Sequence, residues 1–108
     1  MTRIPLKDFH PGTYLLEELE ARVITQVAFA KVIGKTAIEV NDLIKGKRNV
    51  TTQRAILIST ALGTQPHVWT NLQQNYDLKV TEKKMPANKL AAIRQRALKY
   101  FSPVPQYT

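Results

Sequence analysis

The 108-residue sequence is sparing with reactive groups and contains no cysteine. That removes disulfides, thiolate nucleophiles and zinc sites that need sulfur. His10 and His67 are the only histidines. No paired carboxylates sit at helical spacing from either, so both read as structural residues at helix starts and no metal is expected. Ser59 lies in an apolar helical pattern without a His–Asp partner, which leaves nucleophilic catalysis no carrier. Gly34-Lys35-Thr36 matches the end of a phosphate-binding loop, but the position of its earlier glycine is Phe29 and no strand precedes it. No enzymatic role, cofactor or small-molecule substrate is therefore expected. The chemistry that remains is hydrogen bonding and charge neutralisation along a polyanion. Its candidate residues are Gln26, Lys35, Thr36, Asn41, Lys45, Lys47, Arg48 and Thr51, together with Ala37 and Ile38 directly after Thr36.

Helices must position these groups, since no strand pattern competes. Pro11 suits a first helical position. Behind it Leu15, Leu16, Leu19 and Val23 form an apolar stripe, with Glu17, Glu18 and Glu20 facing out. Those glutamates form a solvated face or a dock for a basic protein. Thr25 caps a helix over residues 26–33, whose buried side is Val27, Phe29, Ala30 and Ile33 and whose end is Gly34. Thr36 and Glu39 form a capping box opening a third helix to about Lys45, burying Val40, Leu43 and Ile44. Thr51 caps a fourth helix through Leu62, with Ala55, Ile56, Ile58, Ala61 and Leu62 apolar. Pro66 opens a fifth, on which Trp69, Leu72 and Tyr76 are core residues or a two-fold dimer seam. Residues 79–85 read as a polar, basic link. A last helix over 87–101 carries Leu90, Ile93, Ala97 and Tyr100 on one side, and residues 102–108 read as a loose end.

Two short helices joined at Gly34-Lys35, the second capped and followed by cations, have the sequence form of a helix-turn-helix. In such a unit the second helix enters the major groove while the first spans the backbone. The alternative is a plain helical hairpin inside a bundle. Charge distribution leans the same way as the motif. Residues 1–34 are neutral, residues 35–54 carry +3, residues 55–78 carry −1 and residues 79–108 carry +6, for a formal net charge of +8. A basic half joined to a neutral half suits a polyanionic partner. The longest uninterrupted apolar run is four residues, as in Ala55–Ile58, so no membrane span is expected and the protein is expected in the cytoplasm.

At this point a resemblance enters. His10-Pro11-Gly12 with Leu15-Leu16-Glu17-Glu18-Leu19, then Thr25-Gln26, Ala30-Lys31 and Gly34, are similar to the opening helices of HigA-type antidotes of bacterial addiction modules. Gly46-Lys47-Arg48 with Thr51, Ala61-Leu62-Gly63-Thr64, Pro66, Trp69-Thr70-Asn71-Leu72-Gln73 and Tyr76-Asp77-Leu78 continue the resemblance in register over residues 10–78. The parent group is the phage-repressor-like (XRE/Cro) helix-turn-helix domains. The resemblance implies an all-α, five-helix DNA-binding domain, here over residues 1–80, followed by an additional basic C-terminal helix and tail over 81–108. It also implies a homodimer on operator DNA that represses its own operon and neutralises an mRNA-cleaving, HigB-type toxin.

One part departs from the pattern. Repressor-like relatives carry Arg, Gln or Asn at the first exposed positions after the cap, where this chain has Ala37 and Ile38. Neither makes a bidentate base contact; each can only touch a thymine methyl. Glu39 and Asp42 add negative charge to a helix that should face phosphates, and Asp42 has no visible reason in the sequence. Asn41 is the one polar residue left there to read an adenine. Three outcomes stay open: readout through shape and methyl groups, contacts supplied by the basic C-terminal segment, or a toxin-binding module that has lost specific operator recognition. An orphan phage-type repressor without a toxin is a further alternative.

Overall fold

The computed structural model describes residues 9–101. Six helices follow one another, α1 (Pro11–Ala21), α2 (Gln26–Ile33), α3 (Ala37–Ile44), α4 (Thr52–Leu62), α5 (Pro66–Lys84) and α6 (Ala87–Tyr100), with no strand among the described residues. The loose end expected at residues 102–108 lies outside the described residues. No helix is long and apolar enough to cross a membrane.

Local chemistry sets most of these boundaries. His10 caps α1: its ring Nδ1 accepts the Gly12 N–H at 3.0 Å, and Pro11 follows where a missing N–H costs nothing. Hydroxyls of Thr25, Thr36 and Thr51 accept from Ala28, Glu39 and Arg54 amides at 3.1, 3.1 and 3.2 Å. Each of these bonds satisfies an amide that the first helical turn leaves unpaired. At the end of α2, Gly34 adopts φ 72°, a left-handed conformation open to glycine, and Lys35 N–H returns to the Ala30 carbonyl at 2.9 Å.

The core lies among α1 to α5. Leu15, Leu19, Phe29, Val40, Leu43, Ile58 and Trp69 are fully buried. Helix α4 packs on α5, α2 on α3 and α4, and α1 on α3 and α5. The Tyr14 and Trp69 rings meet at 5.2 Å, and the indole N–H donates to Thr64 Oγ1 at 2.9 Å. Burial pushes the Tyr14 phenol above its ordinary pKa, as do its hydrogen bond with Glu18 and the charges of Glu18 and Glu17. Arg22 joins the ends of two helices, its guanidinium donating to the Leu62 carbonyl at 2.7 Å while its Nε lies 3.3 Å from Glu18. Glu18 is thus engaged with its own helix, unlike a purely solvated face.

Several expectations are corrected here. Residues 79–84 are helical: α5 continues to Lys84 because nothing before Pro86 interrupts it, and Met85 turns extended (ψ 131°) as residues preceding proline do. Polarity alone does not end a helix. The apolar strip on α6, open to folding back on the domain or to pairing with another subunit, contributes no buried residue, and Leu90 and Ala97 are half-buried. Val27 and Ile56 are exposed rather than core, because they lie on the outer faces of α2 and α4, which turn Phe29 and Ile58 inward instead. Ile44 is half-buried.

Val23 also fails to join its stripe. It sits at φ 56°, beyond the end of α1, with its side chain 90% exposed. Its own N–H reaches the Glu20 carbonyl and Ile24 N–H reaches the Leu19 carbonyl at 2.9 Å, so the helix closes through a β-branched residue in a conformation suited to glycine. That conformation costs about 1–2 kcal/mol. Val23→Gly is expected to raise stability by about 1 kcal/mol, seen as a thermal midpoint roughly 4–8 °C higher. An unchanged or lower midpoint would show that the turn is not strained.

Candidate nucleic-acid interface

Helices α2 and α3 pack against each other across the Gly34-Lys35 turn. Val40 and Leu43 anchor α3 in the core, which leaves Thr36, Ala37 and Ile38 on the outside, with Ile38 72% exposed. Close packing behind α3 holds it there. A Cβ on Gly12 would collide with the Leu43 carbonyl oxygen, so α1 lies directly on the backbone of α3 only because position 12 has no side chain.

The candidate contact residues fall into distinct arrangements. Gln26, at the first position of α2, and Asn41, on α3, are bonded to each other: Asn41 Nδ2 donates to Gln26 Oε1 at 3.0 Å. Each amide fixes the other, and Gln26 Nε2 and Asn41 Oδ1 remain available for further bonds. Lys45, Lys47, Arg48 and Thr51 lie in or beside the exposed loop between α3 and α4, while Lys35 is half-buried in the turn. Lys35, Lys45 and Lys47 make no ion pair among the described residues.

Both acids of α3 have partners. Asp42 Oδ2 lies 3.1 Å from Arg48 Nε, and the Asp42 carbonyl accepts from Lys47 and Arg48 amides at 2.8 and 3.3 Å. The side chain of Asp42 therefore aims Arg48, a purpose the linear sequence does not reveal, while its main-chain carbonyl closes the loop. Glu39 was expected to reach back to the Thr36 amide; its carboxylate instead lies 3.5 Å from Arg54 Nε. With Arg48 and Arg54 so matched, the +3 of residues 35–54 resides in Lys35, Lys45 and Lys47.

The loop that carries Lys47 and Arg48 is held from behind by residues outside the expected set. Arg54 Nη1 donates to the Asn49 carbonyl at 3.0 Å, and Asn49 Oδ1 lies 3.4 Å from His10 Nε2. The buried Gln73 accepts the Val50 N–H through Oε1 at 2.7 Å and donates from Nε2 to Asp77 at 3.0 Å. Tyr76 closes the other side of His10, ring edge to ring face at 5.1 Å. A glutamine at an apolar position of α5 is a sequence signal for such a tether, whereas Arg54 and Asn49 carry none.

Among the three residues expected as core or dimer seam, Trp69 is entirely buried within the protomer, and its hydrogen bond to Thr64 uses its only donor. It has no surface to offer a second subunit. Leu72 packs half-buried on the core, and Tyr76 is half-buried against His10. The described residues contain no cluster of His, Cys, Asp and Glu suited to a metal ion.

A family model described as helix-turn-helix matches residues 15–69. The chain is 31% identical over 74 residues to virulence-associated protein I of Dichelobacter nodosus, a match spanning 68% of each. It is similar in fold to an addiction module antidote protein of the HigA family from Coxiella burnetii, with a TM-score of 0.69 and 28% identity over 92% of this chain and 100% of that one. The antitoxin HigA of Pseudomonas aeruginosa, solved with the higBA promoter, matches with a TM-score of 0.64 and 27% identity, covering 92% of this chain and 100% of that one.

Gln73→Ala is expected to lower stability by about 1–3 kcal/mol, the cost of leaving the buried Val50 amide without an acceptor. Urea unfolding of the two proteins measures this, and an unchanged midpoint would show that the tether contributes nothing.

Proposed function

The chain belongs to the helix-turn-helix family, and from that premise we propose that it is a DNA-binding transcriptional regulator of the HigA antitoxin type. The observation that carries this reading is the outward tip of α3: a threonine-capped helix start, an amide bridge from Gln26 to Asn41 beside it, and three lysines around it that make no ion pair among the described residues. Helix α3 lies in the major groove of an operator. Lys35, Lys45 and Lys47 neutralise phosphates, Arg48 does so from its Asp42 anchor, Thr36 and Thr51 place hydrogen-bonding groups at helix starts facing the backbone, and Gln26, bonded to Asn41, faces the groove. The protein acts without catalysis, in the cytoplasm, as a homodimer that represses its own operon and neutralises an mRNA-cleaving toxin. Residues 1–80 form the DNA-binding domain and residues 81–108 a basic arm, which begins in the last turn of α5 and carries α6. The HigA resemblance supports the toxin partner, and the exposed face of α5 beside Leu72 and Tyr76 offers a seam for the second subunit.

One observation favours a second reading. Ala37 and Ile38 make the tip of α3 apolar where base-reading residues are usual, which suits a toxin-binding module without operator recognition.

A salt titration of binding to the DNA upstream of the gene separates the two. The regulator reading expects log K to fall linearly with log salt concentration, by about 0.9 for each phosphate contacted. Lys47→Ala is expected to reduce that slope by about 0.9 and to weaken all sequences alike. Tight capture of a co-expressed toxin together with a flat salt profile would favour the second reading.

A further inference from the structure

Four features of α3 bear on which bases it can recognise. Its outermost side chains are apolar: Ala37 is exposed, and Ile38 holds a branched aliphatic group 72% exposed at the tip. Ile38 has no part in the core, which α3 reaches through Val40 and Leu43. Scattered exposed apolar residues are ordinary on a surface, but this one stands between the Thr36 cap and the Gln26–Asn41 bridge. Finally, the charged side chains of α3 are drawn towards arginines, Glu39 to Arg54 and Asp42 to Arg48, which leaves the apolar pair as the outermost groups of its tip.

In the major groove only thymine presents an apolar group, its 5-methyl. Beside it, the open Asn41 oxygen and Gln26 amine form an acceptor and a donor, the complement of the adenine N6–H and N7 pair. We infer that Ile38, assisted by Ala37, determines specificity by packing on thymine methyl groups, so that the operator half-site facing α3 is built on A·T pairs read by methyl contact and by the Gln26–Asn41 bridge. This inference rests on the DNA-binding reading above and adds the base chemistry to it. Methyl contact makes an apolar tip on a recognition helix a reader of sequence.

Replacing thymidine by deoxyuridine removes the methyl and leaves the base-pairing groups intact, which isolates the contact. The experiment selects bound duplexes from a random-sequence library with the full-length protein, then measures affinity for the selected duplex with deoxyuridine placed at each thymidine in turn. Wild type is expected to lose about fourfold in affinity per contacted methyl, the worth of one buried carbon, at one or two positions in each half-site. Ile38→Ser, shown by circular dichroism to keep its helices, is expected to bind the thymidine and deoxyuridine duplexes equally well at those positions. If wild type binds both duplexes alike while its salt dependence persists, methyl recognition is overturned and the regulator reading stands. If deoxyuridine weakens wild type and Ile38→Ser by the same factor, the effect lies in the DNA and Ile38 is not the reader. Failure to retain any duplex even at low salt overturns the regulator reading, and this inference with it.

Discussion

The close approach of α1 to the backbone of α3 governs the geometry of the site. Gly12 lies where any side chain would strike the Leu43 carbonyl oxygen, so the two helices meet backbone to backbone. The adjoining His10 caps α1 with one ring nitrogen and approaches Asn49, in the loop after α3, with the other. One short segment, His10-Pro11-Gly12, thereby starts α1, seats α3 and approaches the loop that bears Lys47 and Arg48. Gln73 holds the same loop from α5 through the Val50 amide. Backbone contact and two polar tethers thus fix the place of α3 and of the loop that follows it.

The electrostatics follow from that rigidity. Two free carboxylates on α3 would repel a polyanion. Here each is matched to an arginine, and the pairs are only partly buried, so their direct contribution to stability is small. Their larger effect is on placement: the Asp42 carboxylate holds the Arg48 side chain, and Glu39 lies beside Arg54, which also grips the Asn49 carbonyl. The remaining positive charge is then carried by lysines on the edge of the site, suited to phosphate neutralisation rather than to base recognition.

Helix α6 contrasts with this arrangement. It is amphipathic in sequence and basic, yet none of its residues is buried. Helical periodicity reports that a side chain prefers shelter from water; it does not report whether the same chain supplies the shelter. Similarly, the long α5 persists through its polar half because propensity and the absence of Gly or Pro suffice to continue a helix already nucleated by packing at Trp69.

The linear sequence by itself determined the all-α class, the helix starts at Pro11, Gln26, Thr52 and Pro66, the turn at Gly34 and the location of the helix-turn-helix, because caps, prolines and apolar spacing act between residues a few positions apart. Its motif series also pointed to the family. Tertiary structure alone decided which apolar residues are core: Trp69 is, whereas Val23, past the end of α1, and Val27, on the outer face of α2, are not. It also decided the partners of Asp42, Glu39, Gln26 and Gln73. A side chain of that length reaches several neighbours, and only the packed backbone, held by Gly12 against Leu43, brings one of them within hydrogen-bonding distance.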